Sequence, residues 1–249
     1  ELLGLRAGFG AFEAEREASF FSTGGLAAVH SSGRDRDSIW NGLQRKETYG
    51  TSGDRILLWF DLVSESSDIP MGGTIKTAIN PIFKVKAVGA FKQKPGCPDY
   101  SSTNITDEEI ERICKNECYN PSDERKIITR IEVIKVTPQA FKGEQVEGLI
   151  SDPWKVFNCE PNQQGCEIEF SDEEFNSASR DASYYVRAIQ EASPAVNAGS
   201  LRCTYDDEGN CLEVNICYGD KRTSKDDDCL VMSEERAWSS PIYLNYYNL

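Results

Sequence analysis

Residues 24–62, GGLAAVHSSGRDRDSIWNGLQRKETYGTSGDRILLWFDL, decide how the rest of the chain is interpreted. The stretch opens with a short apolar run at residues 26–29, which predicts a strand. Residues 34–47 have the pattern of an amphipathic helix, and residues 55–62 are rich in Ile, Leu, Trp and Phe, which predicts a second strand. A strand, helix, strand order is typical of an α/β enzyme, and no other part of the chain shows it.

The helix of this stretch has one apolar face, formed by Ile39, Trp40 and Leu43. One helix and two short strands cannot close a parallel barrel, so their apolar sides must be buried against something else. We therefore expect an apolar surface that another polypeptide segment covers, at Leu26, Val29, Ile39, Trp40 and Leu43.

The link at residues 49–53, Tyr-Gly-Thr-Ser-Gly, resembles a catalytic or phosphate-binding loop at first sight. It has neither the GxSxG spacing of a nucleophile elbow nor the lysine of a P-loop. We interpret it as a turn that ends the helix.

The composition excludes several classes of protein. The chain has 249 residues and 41 acidic against 27 basic residues, a formal net charge of -14. Such a surface repels phosphate backbones, so nucleic acid is not an expected partner. No run approaches the roughly 18 apolar residues of a membrane helix. The chain opens at Glu1 without a Met, and we expect a processed or excised product.

The remainder of the chain predicts many short strands separated by Gly, Pro, Asn and Asp. In one of them, residues 82–91, Phe83, Val85 and Ala87 alternate with lysines, as in a strand with one buried face. The predicted fold class is α+β, mainly β. Residues 1–62 are expected to form one domain, and residues 63–249 an antiparallel, sandwich-like β domain with disulfides.

Nine cysteines lie in the later part of the chain, without the CxxC or Cys/His spacing of a zinc site. They therefore predict disulfides and an oxidising compartment. Pairs that close short loops between strands are accessible wherever the chain turns back on itself. The expected local pairs are Cys159 with Cys166, Cys203 with Cys211, and Cys217 with Cys229.

Three cysteines remain after these local pairs. Cys114 and Cys118 lie about one turn apart on a predicted helix at residues 106–118, where a bond between them would constrain little. Cys97 lies in a loop that can approach this helix. We expect Cys97 to be bonded to Cys114 or to Cys118, and the other cysteine to be free or joined to an upstream part of the protein.

His30 is the only histidine, and it follows the first apolar run. Barrel strands present catalytic groups at such positions, so His30 is a weak candidate for a metal ligand or an acid/base residue. The alternative is a histidine that merely caps a strand, and a single histidine favours that alternative. No cofactor-binding residue or metal ligand set is predicted in this chain.

Several segments together resemble a known family. Besides residues 24–62, they include FKVKAVGAFKQKPGCPDY at 83–100, YYVRAIQEASPAVNAGSLRC at 184–203 and EERAWSSPIYL at 234–244. In this order they resemble the carboxy-terminal part of bacterial proteins of the domain-of-unknown-function family 3604. The resemblance implies an exported protein, periplasmic or extracellular, whose amino-terminal part is similar to the polymerase-and-histidinol-phosphatase (PHP) barrel of metal-dependent hydrolases.

The resemblance also implies where the chemistry lies. The PHP-like barrel holds its metal with His and Asp in motifs of the DLHVH and SSDTH type, and this chain has neither. Residues 1–62 would then be the end of a PHP-like α/β barrel, with the metal site upstream. A divalent metal is expected in the full-length protein and not in this chain.

Two functions follow from these expectations. The first is the carboxy-terminal segment of an exported metal-dependent hydrolase, acting on a phosphoester, carbamate, ester or amide and partnered by its own upstream part. The second is a non-catalytic β-sandwich module for binding or assembly, contacting carbohydrate, a cell surface or another subunit. Both functions are compatible with a homo-oligomer, and neither involves a membrane-spanning segment.

Overall fold

Strands dominate the chain, as the alternating sequence predicts. A computed structural model describes residues 24–103, 105–114, 118–196, 203–214 and 230–247. The strands are β1 (Leu26–Val29), β2 (Thr48–Thr51), β3 (Leu57–Leu62), β4 (Ile69–Pro70), β5 (Thr74–Thr77), β6 (Ile82–Val88), β7 (Phe91–Gln93), β8 (Pro121–Arg125), β9 (Ile128–Val136), β10 (Ile150–Asn158), β11 (Cys166–Ser171), β12 (Ala182–Val196), β13 (Cys203–Tyr205), β14 (Cys211–Val214), β15 (Leu230–Ser239) and β16 (Ile242–Tyr246). The helices are α1 (Arg36–Gln44), α2 (Asp107–Cys114) and α3 (Phe175–Ala178), with a 3₁₀ turn at Asp99–Ser102.

The larger of two compact units comprises residues 25–90, 124–191 and 235–249 and contains two sheets. The first sheet has the order β1-β2-β15-β12-β16-β5, and β9 pairs with β12 while β10 pairs with β9. The second sheet has the order β11-β6-β3-β4. The strand pairs with a defined register are antiparallel, except that β16 and β5 are parallel. The prediction of a mainly antiparallel β protein is confirmed.

The two sheets of this unit pack face to face. Phe83 of β6 lies with its ring centroid 4.8 Å from that of Tyr184 of β12, and Phe60 and Phe170 stack on the same phenyl ring. Phe83, Val85 and Ala87 are all buried, which confirms the predicted orientation of this strand. Burial of each large apolar side chain contributes about 1.5–3 kcal/mol, so this aromatic layer is a major source of stability.

The smaller unit comprises residues 1–24, 91–123 and 192–234. In its described part, β7 pairs with β8, and β13 and β14 form a hairpin. Helix α2 begins with a capping box. The Thr106 hydroxyl accepts a hydrogen bond from the backbone N–H of Glu109, and the Glu109 carboxylate accepts one from the backbone N–H of Thr106.

Three disulfides confirm most of the cysteine predictions. The local pairs Cys159–Cys166 and Cys203–Cys211 are formed, and Cys97 is bonded to Cys118. Disulfides persist in oxidising compartments and are rare in the cytosol, so these bonds indicate a non-cytoplasmic location.

The remaining cysteines are Cys217, Cys229 and Cys114: the first two lie outside the residues that the structure describes, and so does the side chain of the third. The Cys159–Cys166 bond has a clear structural role. It joins the end of β10, in the first sheet, to the start of β11, in the second.

None of the helices among the described residues is long and apolar enough to cross a membrane.

The strand, helix, strand order predicted for residues 24–62 is confirmed by β1, α1 and β3. The pairing of these strands differs from that of a parallel barrel, because β1 pairs antiparallel with β2 and β3 pairs antiparallel with β6. The physical reason is visible in β3, which buries only alternate residues. Strands of parallel sheets are covered on both faces. Residues 25–62 also belong to the same compact unit as the later strands, whereas the sequence suggested a boundary at residue 62.

The interpretation of residues 49–53 as a turn was wrong. Tyr49, Gly50 and Thr51 belong to β2, which lies between β1 and β15. The helix ends earlier, at Gln44, and Lys46 reverses the chain with a φ of 59°. β-branched threonines on either side of a buried tyrosine favour the strand.

A buried ion pair connects the two sheets. Asp172, just after β11, is only 1% exposed, and its Oδ2 accepts hydrogen bonds from Lys135 Nζ and Tyr184 Oη, both at 2.5 Å. Lys135 belongs to β9 and Tyr184 to β12, both in the first sheet, whereas Asp172 follows β11 of the second, so this contact joins the two sheets. Burial by itself would raise the pKa of Asp172. The hydrogen bonds from Lys135 and Tyr184 outweigh it and lower the pKa below its usual value.

We predict that Asp172→Asn destabilises the protein by about 3 kcal/mol at pH 7, because it leaves the Lys135 charge without its partner. The folded pKa of Asp172 is below the unfolded value, so its contribution is present above about pH 4. That contribution is lost as the pH falls through the lower, folded pKa. Urea unfolding of both proteins at a series of pH values measures the difference.

The matched control is Glu169→Gln, an exposed carboxylate on the same strand. It should change the free energy of unfolding by less than about 0.5 kcal/mol. Equal stability of the Asp172→Asn variant and the wild type at pH 7 would contradict the role of this ion pair.

Candidate functional site

The outer face of the second sheet carries a regular array of polar side chains around one tryptophan. Because strand residues alternate between faces, burial of Leu58, Phe60 and Leu62 directs Trp59 and Asp61 of β3 outward. In the same way, β6 presents Lys84 and Lys86, and β11 presents Glu167 and Glu169.

The strand registers arrange these side chains in two rows. Trp59 lies opposite Lys86, and Lys86 lies opposite Glu167. Asp61, Lys84 and Glu169 form the second row in the same way. Five of these residues, Trp59, Asp61, Lys84, Lys86 and Glu167, together with Val85, line a groove of about 330 Å³. We refer to it as the Trp59 groove.

The charges of the Trp59 groove are only weakly paired with each other. Lys86 Nζ lies 3.9 Å from the Glu167 carboxylate, and both side chains are more than half exposed. Exposed ion pairs of this kind contribute at most about 1 kcal/mol. Both groups are therefore available to a ligand at little cost.

Asp61 is half-buried at one end of the groove. Burial raises the pKa of Asp61, and the nearby Asp68 carboxylate raises it further, against the opposing charges of His30 and Lys84. Among the residues that the structure describes, none donates a hydrogen bond to this carboxylate. A half-buried acceptor without a donor is a favourable place for a hydroxyl or amide group of a ligand.

His30, the only candidate from the sequence, lies behind the groove. Its Nε2 is 2.8 Å from the carbonyl oxygen of Leu58, and since a carbonyl can only accept, Nε2 donates. Its ring lies between those of Tyr49 and Trp59, with centroid distances of 5.5 and 5.8 Å. His30 thus connects the end of β1 to β3 and supports the Trp59 ring.

No group of three or more His, Cys, Asp or Glu that could hold a metal ion occurs among the described residues. The acidic loop at residues 206–210 is a hairpin connection, as predicted, in which Asp206 accepts hydrogen bonds from its own turn.

A second surface feature is apolar and lies around α1. Trp40 is 59% exposed and Leu43 is 48% exposed, on adjacent turns of the helix. A shallow groove of about 510 Å³ continues from Leu43 along β1 and β2, and Val29 and Trp238 are among its lining residues. We call this surface, Trp40, Leu43, Val29 and Trp238, the α1 face.

The apolar surface expected from the sequence is confirmed in part. Leu26, Trp40 and Leu43 are exposed, while Val29 and Ile39 are partly buried. The expected covering segment stays a prediction.

Comparison with known proteins finds a match to one family over part of the chain. Residues 6–61 match the family described as proteins of unknown function, DUF3604. This match supports the family resemblance drawn from the sequence, and it contains α1 and most of β3. No curated protein and no solved structure matches the chain.

Sequence analysis did not single out Trp59 or Asp61. The usable signal was the β3 alternation itself, in which an aromatic residue takes an outward position next to a carboxylate.

We predict that His30→Ala lowers the free energy of unfolding by about 1–3 kcal/mol, since the Leu58 carbonyl loses its donor and the Trp59 ring loses a neighbour. His30→Gln, which keeps a donor, should recover part of this loss. Thermal unfolding measures the stability, and tryptophan fluorescence reports the environment of Trp59. A variant with unchanged stability and unchanged fluorescence would show that His30 has no supporting role.

Proposed function

We propose that this chain forms the carboxy-terminal, β-sandwich segment of an exported metal-dependent hydrolase, acting on a phosphoester, carbamate, ester or amide. The proposal takes the PHP-like barrel to be formed by other residues of the protein, since β1, β2 and β3 of this chain pair antiparallel within the sandwich. Residues elsewhere in the protein would hold the divalent metal, which when bound activates water for hydrolysis. The β-sandwich would contribute assembly and not chemistry.

The observation that carries this proposal is the α1 face. Monomeric proteins rarely leave a contiguous apolar surface with a tryptophan and a leucine half exposed on one helix, and such surfaces mark interfaces. Val29, Trp40 and Leu43 of this surface lie within residues 6–61, the stretch that matches the family. Its proposed occupant is the catalytic part of the same protein, since the family resemblance associates this stretch with the end of a barrel.

A second candidate function is a non-catalytic binding module. The Trp59 groove favours it, because the groove combines an aromatic ring with donors and acceptors on a rigid sheet. The two functions are compatible in one protein, since the groove and the α1 face are built on different sheets.

The test of the hydrolase proposal is a comparison of this chain with the product of the complete gene. We predict that the complete product, purified with its metal, hydrolyses at least one member of a panel of model phosphoesters, carbamates, esters and amides. We predict no hydrolysis by residues 1–249 alone. A complete product with neither bound metal nor hydrolytic activity would overturn the proposal and leave the binding module.

The role of the α1 face is tested by the double variant Trp40→Ala, Leu43→Ala in the complete gene product. Burial of both side chains should stabilise the assembly by about 3 kcal/mol in total, so the variant should separate one calorimetric transition into two. The matched control is Phe141→Ala, Val146→Ala, which removes two exposed apolar side chains from a loop. The same change in both double variants would show that the α1 face is not an interface.

A further inference from the structure

The Trp59 groove offers a ligand three kinds of contact at once. Its rows run across three strands, which lie about 4.8 Å apart, and successive outward residues of one strand lie about 7 Å apart. The two rows therefore span about 10 by 7 Å. An aromatic ring lies at one end of the first row, a half-buried carboxylate at the same end of the second, and lysines occupy the middle of both.

The tryptophan of this array is held in place before any ligand arrives. The ring centroid of His30 lies 5.8 Å from that of Trp59, and the hydrogen bond from His30 to Leu58 fixes the histidine. A side chain that is already ordered loses little conformational entropy when a ligand stacks on it. The ordered ring is thus suited to stacking against a flat, weakly apolar partner.

The polar groups around the ring select the chemistry of that partner. Lys84 and Lys86 donate hydrogen bonds, whereas the carboxylates of Asp61 and Glu167 accept them. A metal cation is disfavoured by the two ammonium groups, and an anion is disfavoured by the carboxylates and by the net charge of -14. A neutral partner rich in groups that both donate and accept satisfies all four side chains.

We propose that the Trp59 groove binds a neutral sugar ring of an oligosaccharide or polysaccharide. The C–H face of the ring stacks on the Trp59 indole. Its hydroxyl groups donate to Asp61 and Glu167 and accept from Lys84 and Lys86. The volume of about 330 Å³ is at the small end of ligand sites, which fits one or two rings of a longer chain. The inference rests on the second proposed function, that of a binding module, and names its ligand class.

The test is titration of the full chain with hexasaccharides of glucose, mannose, xylose and N-acetylglucosamine, followed by calorimetry and tryptophan fluorescence. We expect at least one of these neutral hexasaccharides to bind. Trp59→Ala should weaken that binding by about tenfold or more, as expected for the loss of a stacked aromatic anchor. Asp61→Asn, which keeps the shape of the side chain, should weaken it by a smaller factor.

The matched control is Trp40→Ala, which removes an exposed tryptophan from the α1 face. It should leave sugar affinity unchanged. Thermal unfolding of each variant establishes that it is folded. If Trp59→Ala does not fold, the binding measurement uses Trp59→Phe, which keeps a smaller aromatic ring.

Three outcomes would overturn the inference: no binding by any neutral hexasaccharide, binding only by a uronate-containing hexasaccharide, or a loss caused by Trp40→Ala and not by Trp59→Ala. None of these outcomes bears on the hydrolase proposal, which the complete gene product and the variants of the α1 face test separately.

Discussion

The contact of Asp172 with Lys135 and Tyr184 is the constraint on which the sandwich depends most. A carboxylate that is 1% exposed is costly to bury unless its charge and its lone pairs are satisfied. Here Lys135 supplies the charge, Tyr184 adds a second hydrogen bond, and the backbone N–H of Glu174 supplies a third. Because Lys135 and Tyr184 belong to the first sheet and Asp172 follows β11 of the second, these hydrogen bonds fix the position of one sheet relative to the other. The aromatic layer around Phe83 then supplies stability, while the ion pair fixes the relative position of the two sheets.

The packing of the inner face of the second sheet determines which side chains lie on its outer face. Phe83, Val85 and Ala87 are fixed in the core, so Lys84 and Lys86, which alternate with them, are directed outward. The same reasoning applies to β3, where burial of Phe60 leaves Trp59 and Asp61 on the outer face. The Trp59 groove is therefore a consequence of core packing, and its side chains stand on backbone that is rigid without a ligand. Rigid strands hold binding groups more accurately than loops do.

Local patterns in the sequence predicted much of this fold, but they did not predict which distant strands pair with each other. Alternation gave the position of β6 because this strand has one buried face, and loop closure gave the short disulfides. The strand β2 was missed because Gly50 within it reads as a turn. β15 was missed because charged residues such as Glu235 interrupt its apolar pattern. Their pairing, in which the backbone N–H of Ser52 donates to the carbonyl of Arg236, joins segments 184 residues apart and leaves no local signal.

The candidate site was not predicted either, because it too depends on which strands pair. Sequence analysis gave weight to His30 because histidine is a common catalytic residue, yet its ring is used to hold the Leu58 carbonyl and the Trp59 ring. Asp61, whose half-buried carboxylate accepts no hydrogen bond from the described residues, looked unremarkable because one carboxylate at an outward position of a strand is common. A binding role emerges only when the register places an aromatic ring, donors and acceptors side by side, since each of them alone is an ordinary surface residue. Functional information in this chain thus resides in strand pairing more than in any motif.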